Sequence, residues 1–120
     1  MNHVLKCGCQ NPTTDLKLEA EFFTDPIWCT ICGYNLDLED LSVSPELLEN
    51  IEKWASRYGE WIDYDRDTLV TRGIELENKH NEEGQKIYKM LKNELGTKYT
   101  LIFSPSTTAK LYKHKYHYRI

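Results

Sequence analysis

No stretch of this 120-residue chain approaches the ~18–20 consecutive apolar residues of a membrane span, and Met1-Asn2-His3-Val4-Leu5-Lys6 lacks the apolar run of a signal peptide. A cytosolic (cytoplasmic), membrane-free location is the default expectation. There is no Gly-rich phosphate loop, no internal repeat and no low-complexity linker, and Ser, Cys and His form no recognisable nucleophile motif. P-loop enzymes and solenoids are thereby excluded. The length suffices for one core of ordinary size and not for two. With 40% hydrophobic and 12% aromatic residues to fill that core, 28% charged residues and a formal net charge of -4 describe a mildly acidic soluble domain. We expect one domain over 1–120, with a cysteine-bearing subregion at 1–40, a helical and strand region at 41–109 and a basic tail at 110–120.

Cysteine is scarce but clustered. The four occur as Cys7-Gly8-Cys9 and Cys29-Thr30-Ile31-Cys32, and there is no fifth. In a reducing compartment such thiols are better suited to a metal than to disulfides. Each pair sets two sulfurs on one tight turn, and two turns brought together make a tetrahedron with zinc–sulfur distances of ~2.3 Å. Iron held by four thiolates satisfies the same geometry. Cys7, Cys9, Cys29 and Cys32 are therefore the expected ligands of a Zn2+ ion, with His3 as a substitute donor. Four sulfurs close the coordination shell, so the metal is expected to be structural rather than catalytic.

The segment Trp28-Cys29-Thr30-Ile31-Cys32-Gly33-Tyr34-Asn35-Leu36 resembles the second knuckle of zinc-ribbon proteins, where a glycine after the second cysteine turns the backbone toward the metal. The resemblance covers about residues 5–40. It implies a ligand role for Cys29 and Cys32 and a turn role for Gly33. The first pair departs from the ribbon pattern by having one intervening residue instead of two.

Between the pairs, Asp15-Leu16-Lys17-Leu18-Glu19-Ala20-Glu21-Phe22 alternates apolar and polar residues, which predicts a strand with one buried face. Turns at Asn11-Pro12 and Asp25-Pro26 bracket it. Ser44-Pro45-Glu46 supplies an N-cap, a first-turn proline and an acid at the positive end of a helix. Leu47, Leu48, Ile51, Trp54, Ala55 and Tyr58 then recur at helical spacing, which predicts a helix over 45–58 with Trp54 in the core. A second helix is expected over 74–95, weakened in its middle by Asn78, Asn81 and Gly84, where a break, a kink or an exposed turn is expected. Tyr99-Thr100-Leu101-Ile102-Phe103 predicts a strand over about 98–103 that joins the N-terminal sheet. The fold class is thus α+β: a small zinc-pinned antiparallel sheet, zinc-ribbon-like, packed with two helices and a C-terminal strand.

Charge is unevenly placed. Residues 13–67 hold fourteen Asp or Glu against four Lys or Arg, a balance of -10, whereas residues 110–120 hold four basic residues and no acid. Such an acidic body repels nucleic acid and attracts basic proteins. The connection Glu60-Trp61-Ile62-Asp63-Tyr64-Asp65-Arg66-Asp67 combines carboxylates with aromatics, so Trp61, Asp63, Tyr64, Asp65 and Asp67 are the expected contact residues for a basic protein partner. Inhibition of that partner, as in a toxin–antitoxin pair, would suit this face. A calcium loop starting at Asp63 fails, because its sixth and twelfth positions are Thr68 and Ile74 instead of glycine and glutamate.

Two other function classes stay open. The tail Lys110-Leu111-Tyr112-Lys113-His114-Lys115-Tyr116-His117-Tyr118-Arg119-Ile120 has the cations and tyrosines to bind single-stranded nucleic acid, although a loose end or a final strand against the acidic body is the expectation. A zinc-dependent enzyme of unknown reaction would draw on Glu77, His80 and Glu82; the plainer expectation is a surface Glu77–His80 pair.

Overall fold

The computed structural model describes residues 5–117, with 113–117 as backbone only. His3, the substitute ligand, lies outside the described residues, as do the last three positions of the basic tail, 118–120.

Nine elements follow in chain order among the described residues. They are β1 (Asp15–Leu18), β2 (Ile27–Cys29), a 3-10 turn (Leu38–Asp40), α1 (Pro45–Ser56), β3 (Ile62–Asp63), β4 (Thr68–Leu69), α2 (Gly73–Leu95), β5 (Thr100–Phe103) and α3 (Thr108–His117). The fold is mixed α+β, with two small sheets and three helices among those residues.

The larger sheet has the order β2-β1-β5. The sequence predicts a purely antiparallel sheet, and the structure corrects this. β2 runs antiparallel to β1, with Leu16 opposite Cys29 and Leu18 opposite Ile27, but β5 runs parallel to β1, with Leu16 opposite Leu101 and Leu18 opposite Phe103. A parallel neighbour needs a long crossover, and α1 and α2 lie within it. β1 is also shorter than its alternating pattern. The Glu19 N–H still donates to the Pro26 carbonyl at 3.0 Å, but Pro26 has no N–H to return, so the ladder ends at Leu18 and residues 19–26 form a loop.

Leu16 and Leu18 present no surface to solvent and meet Ile27, Cys29 and Leu101 on the same sheet. Leu47, Ile51 and Trp54 of α1 and Ile87 and Leu91 of α2 complete this core, with Leu36, Leu38 and Leu41 from the connection before α1. α1 begins as its residues dictate. The Ser44 hydroxyl accepts the Leu47 N–H at 3.2 Å, while the Ser44 N–H and hydroxyl donate to the Glu94 carboxylate at 2.6 and 3.0 Å. The start of α1 is thereby tied to the end of α2.

α2 runs unbroken for 23 residues. The expected weakness at its middle does not materialise because Gly84 is buried against neighbours. A Cβ there would lie 2.7 Å from the Trp54 ring and 2.6 Å from the Phe103 ring. Glycine lets the helix approach both aromatics, and that packing outweighs its low helix propensity. The expected surface pair on α2 is likewise overturned: Glu77 is 0% exposed and His80 3%. Residues from Thr108 form a helix instead of a strand or loose end.

Candidate metal centre and acidic contact surface

The β1–β2 hairpin and the turn after it bring the four cysteines together. Cys29 ends β2, its N–H donating to the Tyr34 carbonyl at 2.9 Å and its carbonyl accepting the Gly33 N–H at 2.9 Å. Gly33 has φ +78, the left-handed turn for which glycine is suited. The Sγ atoms of Cys7, Cys9, Cys29 and Cys32 all lie within 4.8 Å of one another, and those of Cys9 and Cys29 are 3.7 Å apart. A tetrahedron with ~2.3 Å zinc–sulfur bonds has edges of about 3.8 Å, near the Cys9–Cys29 separation, so these four sulfurs could hold a metal ion.

Hydrogen bonds surround the sulfurs. The Gly8 N–H donates to Cys32 Sγ and the Cys9 N–H to Cys7 Sγ, each at 3.3 Å. Thr13 Oγ1 lies 3.1 Å from Cys29 Sγ. The hydrogen bond with Cys7, and then burial, push the Cys9 thiol up to about 12. Burial also pushes Cys29 up, but hydrogen bonds from Thr13 and the backbone at Cys32 and Ile31 together outweigh it and bring that thiol down to about 6. Sulfurs this close cannot all ionise unless a cation offsets their repulsion. Among the described residues this is the one cluster of potential metal donors.

The acidic connection is a hairpin of β3 and β4. Trp61 does not belong to its outer face: it is 0% exposed, and its indole N–H donates to Thr108 Oγ1 at 2.9 Å. Its large apolar ring is better accommodated in the second core cluster, with Ile62 and Ala109, than in water. Tyr64, Asp65 and Asp67 are exposed and Asp63 is half-buried. Asp63 Oδ1 accepts the N–H groups of Asp65 and Arg66 at 3.1 and 3.2 Å, and so shapes the turn. Asp67 accepts the Tyr112 hydroxyl at 2.8 Å.

Aromatic contacts extend this surface beyond the predicted residues. The Phe22 ring meets Tyr58 at 4.6 Å and Tyr64 at 5.8 Å, both edge-on, and Phe23 beside it is fully exposed. The β1–β2 loop thus abuts the acidic hairpin. The alternating pattern assigns Phe22 to a strand, which conceals this contact.

Glu77 and His80 are both buried, each with partners of its own. Glu77 Oε2 accepts the Ala109 N–H and the Ser106 hydroxyl, both at 2.8 Å, at the start of α3. His80 Nε2 lies 2.9 Å from the Trp54 carbonyl, and the Trp54 indole donates to the His80 carbonyl at 2.8 Å. Glu82 is exposed. The three residues on which a zinc-dependent reaction would draw therefore occupy different environments.

A family model described as Serratia CdiI immunity protein-like matches residues 14–106. The match spans β1 through Ser106 and includes Cys29 and Cys32, but starts after Cys7 and Cys9. No curated protein matches the chain.

Proposed function

The chain belongs to the Serratia CdiI immunity protein-like family, and from that membership we propose that it binds a toxin and blocks it by occupying a working surface. The partner's contact surface is basic. The balance of -10 over residues 13–67 supports this, since complementary charge accelerates encounter and selects the partner. Tyr64, Asp65 and Asp67 contribute the exposed part of the acidic hairpin, and Asp63 holds its turn. Trp61 supports that face from beneath.

A cell carrying such a toxin survives only if the antidote is inherited with it, so the partner is sought in the neighbouring gene. Co-expression should restore growth, and titration calorimetry should give a complex whose affinity falls with added salt. Absence of a complex at low salt would remove this reading. Charge reversal at Asp65 and Asp67 that leaves the complex unchanged would remove only the hairpin's part in it.

The four cysteines serve as a structural clasp for Zn2+, with iron as the alternative ion. The donor set and the 3.7 Å sulfur separation support this role. Native mass spectrometry of protein purified without added metal tests it: one retained ion per chain is expected, and metal-free protein with intact structure would refute it. Nucleic-acid binding through 110–120 gains no support from Tyr112, whose hydroxyl is engaged by Asp67.

A further inference from the structure

We propose that the toxin's main anchor enters the groove between the β1–β2 loop and α1, and that this anchor is an arginine-bearing segment of its basic surface. The proposal rests on the immunity reading above and names a contact site for it.

The groove has a volume of about 420 Å3, and its lining includes Glu21, Phe23, Asp25, Glu52, Ala55 and Tyr58. Among the described residues, no lysine, arginine or histidine lines it. Asp25 is engaged by the Leu38 N–H at 2.9 Å, whereas Glu21 and Glu52 form no ion pair among the described residues. Two exposed carboxylates therefore face a groove without a cation of the chain's own.

Phe23 adds an independent observation. Its backbone lies in the left-handed region at φ +60, and its ring is fully exposed. Both features oppose folding of the isolated chain, since a bulky L-residue is strained there and an apolar ring gains nothing in water. Strain retained in a loop is a reason to seek a function for it. Phe22, 6.2 Å away between ring centres, leads from Phe23 to Tyr58 and Tyr64.

An arginine satisfies both halves of this surface. Its planar guanidinium stacks on an aromatic ring and offers paired donors to carboxylates. A second copy of this chain would set acidic surface against acidic surface, which electrostatics opposes.

The test uses the full chain and the toxin from the neighbouring gene. Phe23→Asn should raise the melting temperature, because asparagine tolerates the left-handed conformation, while weakening toxin binding by roughly tenfold or more. Glu21→Lys with Glu52→Lys should weaken binding most at low salt, and Met90→Ala on the exposed side of α2 should leave it unchanged. If the native chain binds and the Phe23 and Glu21/Glu52 variants bind equally well, the groove assignment is wrong and the immunity reading stands. If the native chain binds no toxin, both fall.

Discussion

His80 hydrogen-bonds through Nε2 to a carbonyl, which can only accept, so Nε2 carries a proton and the neutral form of the ring leaves Nδ1 bare. Nδ1 is buried without a partner among the described residues, and the ring stacks on Trp54 at 4.6 Å. Burial, the largest influence, holds its pKa below the ordinary 6.5. The unfolded chain therefore binds the proton more readily. This contribution to stability is present above about pH 6.5 and is lost as pH falls through the lower folded value. Denaturant titrations at pH 7.5 and pH 5 should show a decline that is smaller in His80→Gln. An equal decline in both proteins would show that His80 does not carry it. The burial of this residue was legible in principle. Gly73, Glu77, His80, Gly84, Ile87 and Leu91 are spaced four, three, four, three and four apart, the stripe of one helix face. Counting only apolar residues along α2 misses it, because four of its six members are polar or glycine.

Elements were legible where local chemistry decided them. Ser44, Pro45 and Glu46 mark the start of α1, and the structure begins it at Pro45. They were illegible where a distant partner decided: the end of β1 depends on Pro26, and α3 depends on Glu77. Removing that carboxylate with Glu77→Ala strands the Ala109 N–H and leaves the Ser106 hydroxyl with Thr108 alone, at a cost of about 1–3 kcal/mol. Hydrogen exchange across 108–112 should rise, whereas Glu77→Gln, which keeps an acceptor oxygen, should restore part of the protection. Gly84→Ala provides a test of opposite sign to propensity. Alanine favours an isolated helix by about 1 kcal/mol, yet here its methyl meets Trp54 and Phe103, and a net loss of about 1–2 kcal/mol is expected from overpacking. A rise in melting temperature would show that the rings move aside at little cost.

At the scale of the molecule, the proposed clasp would join residues 7–9 to the end of β2 and so hold the N-terminal segment on the main core, where Leu5 and Cys29 are buried. Chelation should make residues 5–12 sensitive to protease before α1 and α2 lose their helical circular dichroism. Simultaneous loss of both would mean that the metal holds the entire fold. The cysteine pairs were legible because tight-turn spacing is local, and the acidic bias because charge is counted. The groove was not, since it joins a loop and a helix whose approach depends on the whole core.

The parallel pairing of β1 with β5 has a consequence for synthesis. β1 leaves the ribosome long before β5 exists, so the edge that β5 covers stays unpaired while α1 and α2 are being made. An open edge invites pairing with other chains. Nascent chains stalled before Thr100 should therefore aggregate more readily than those extended past Phe103.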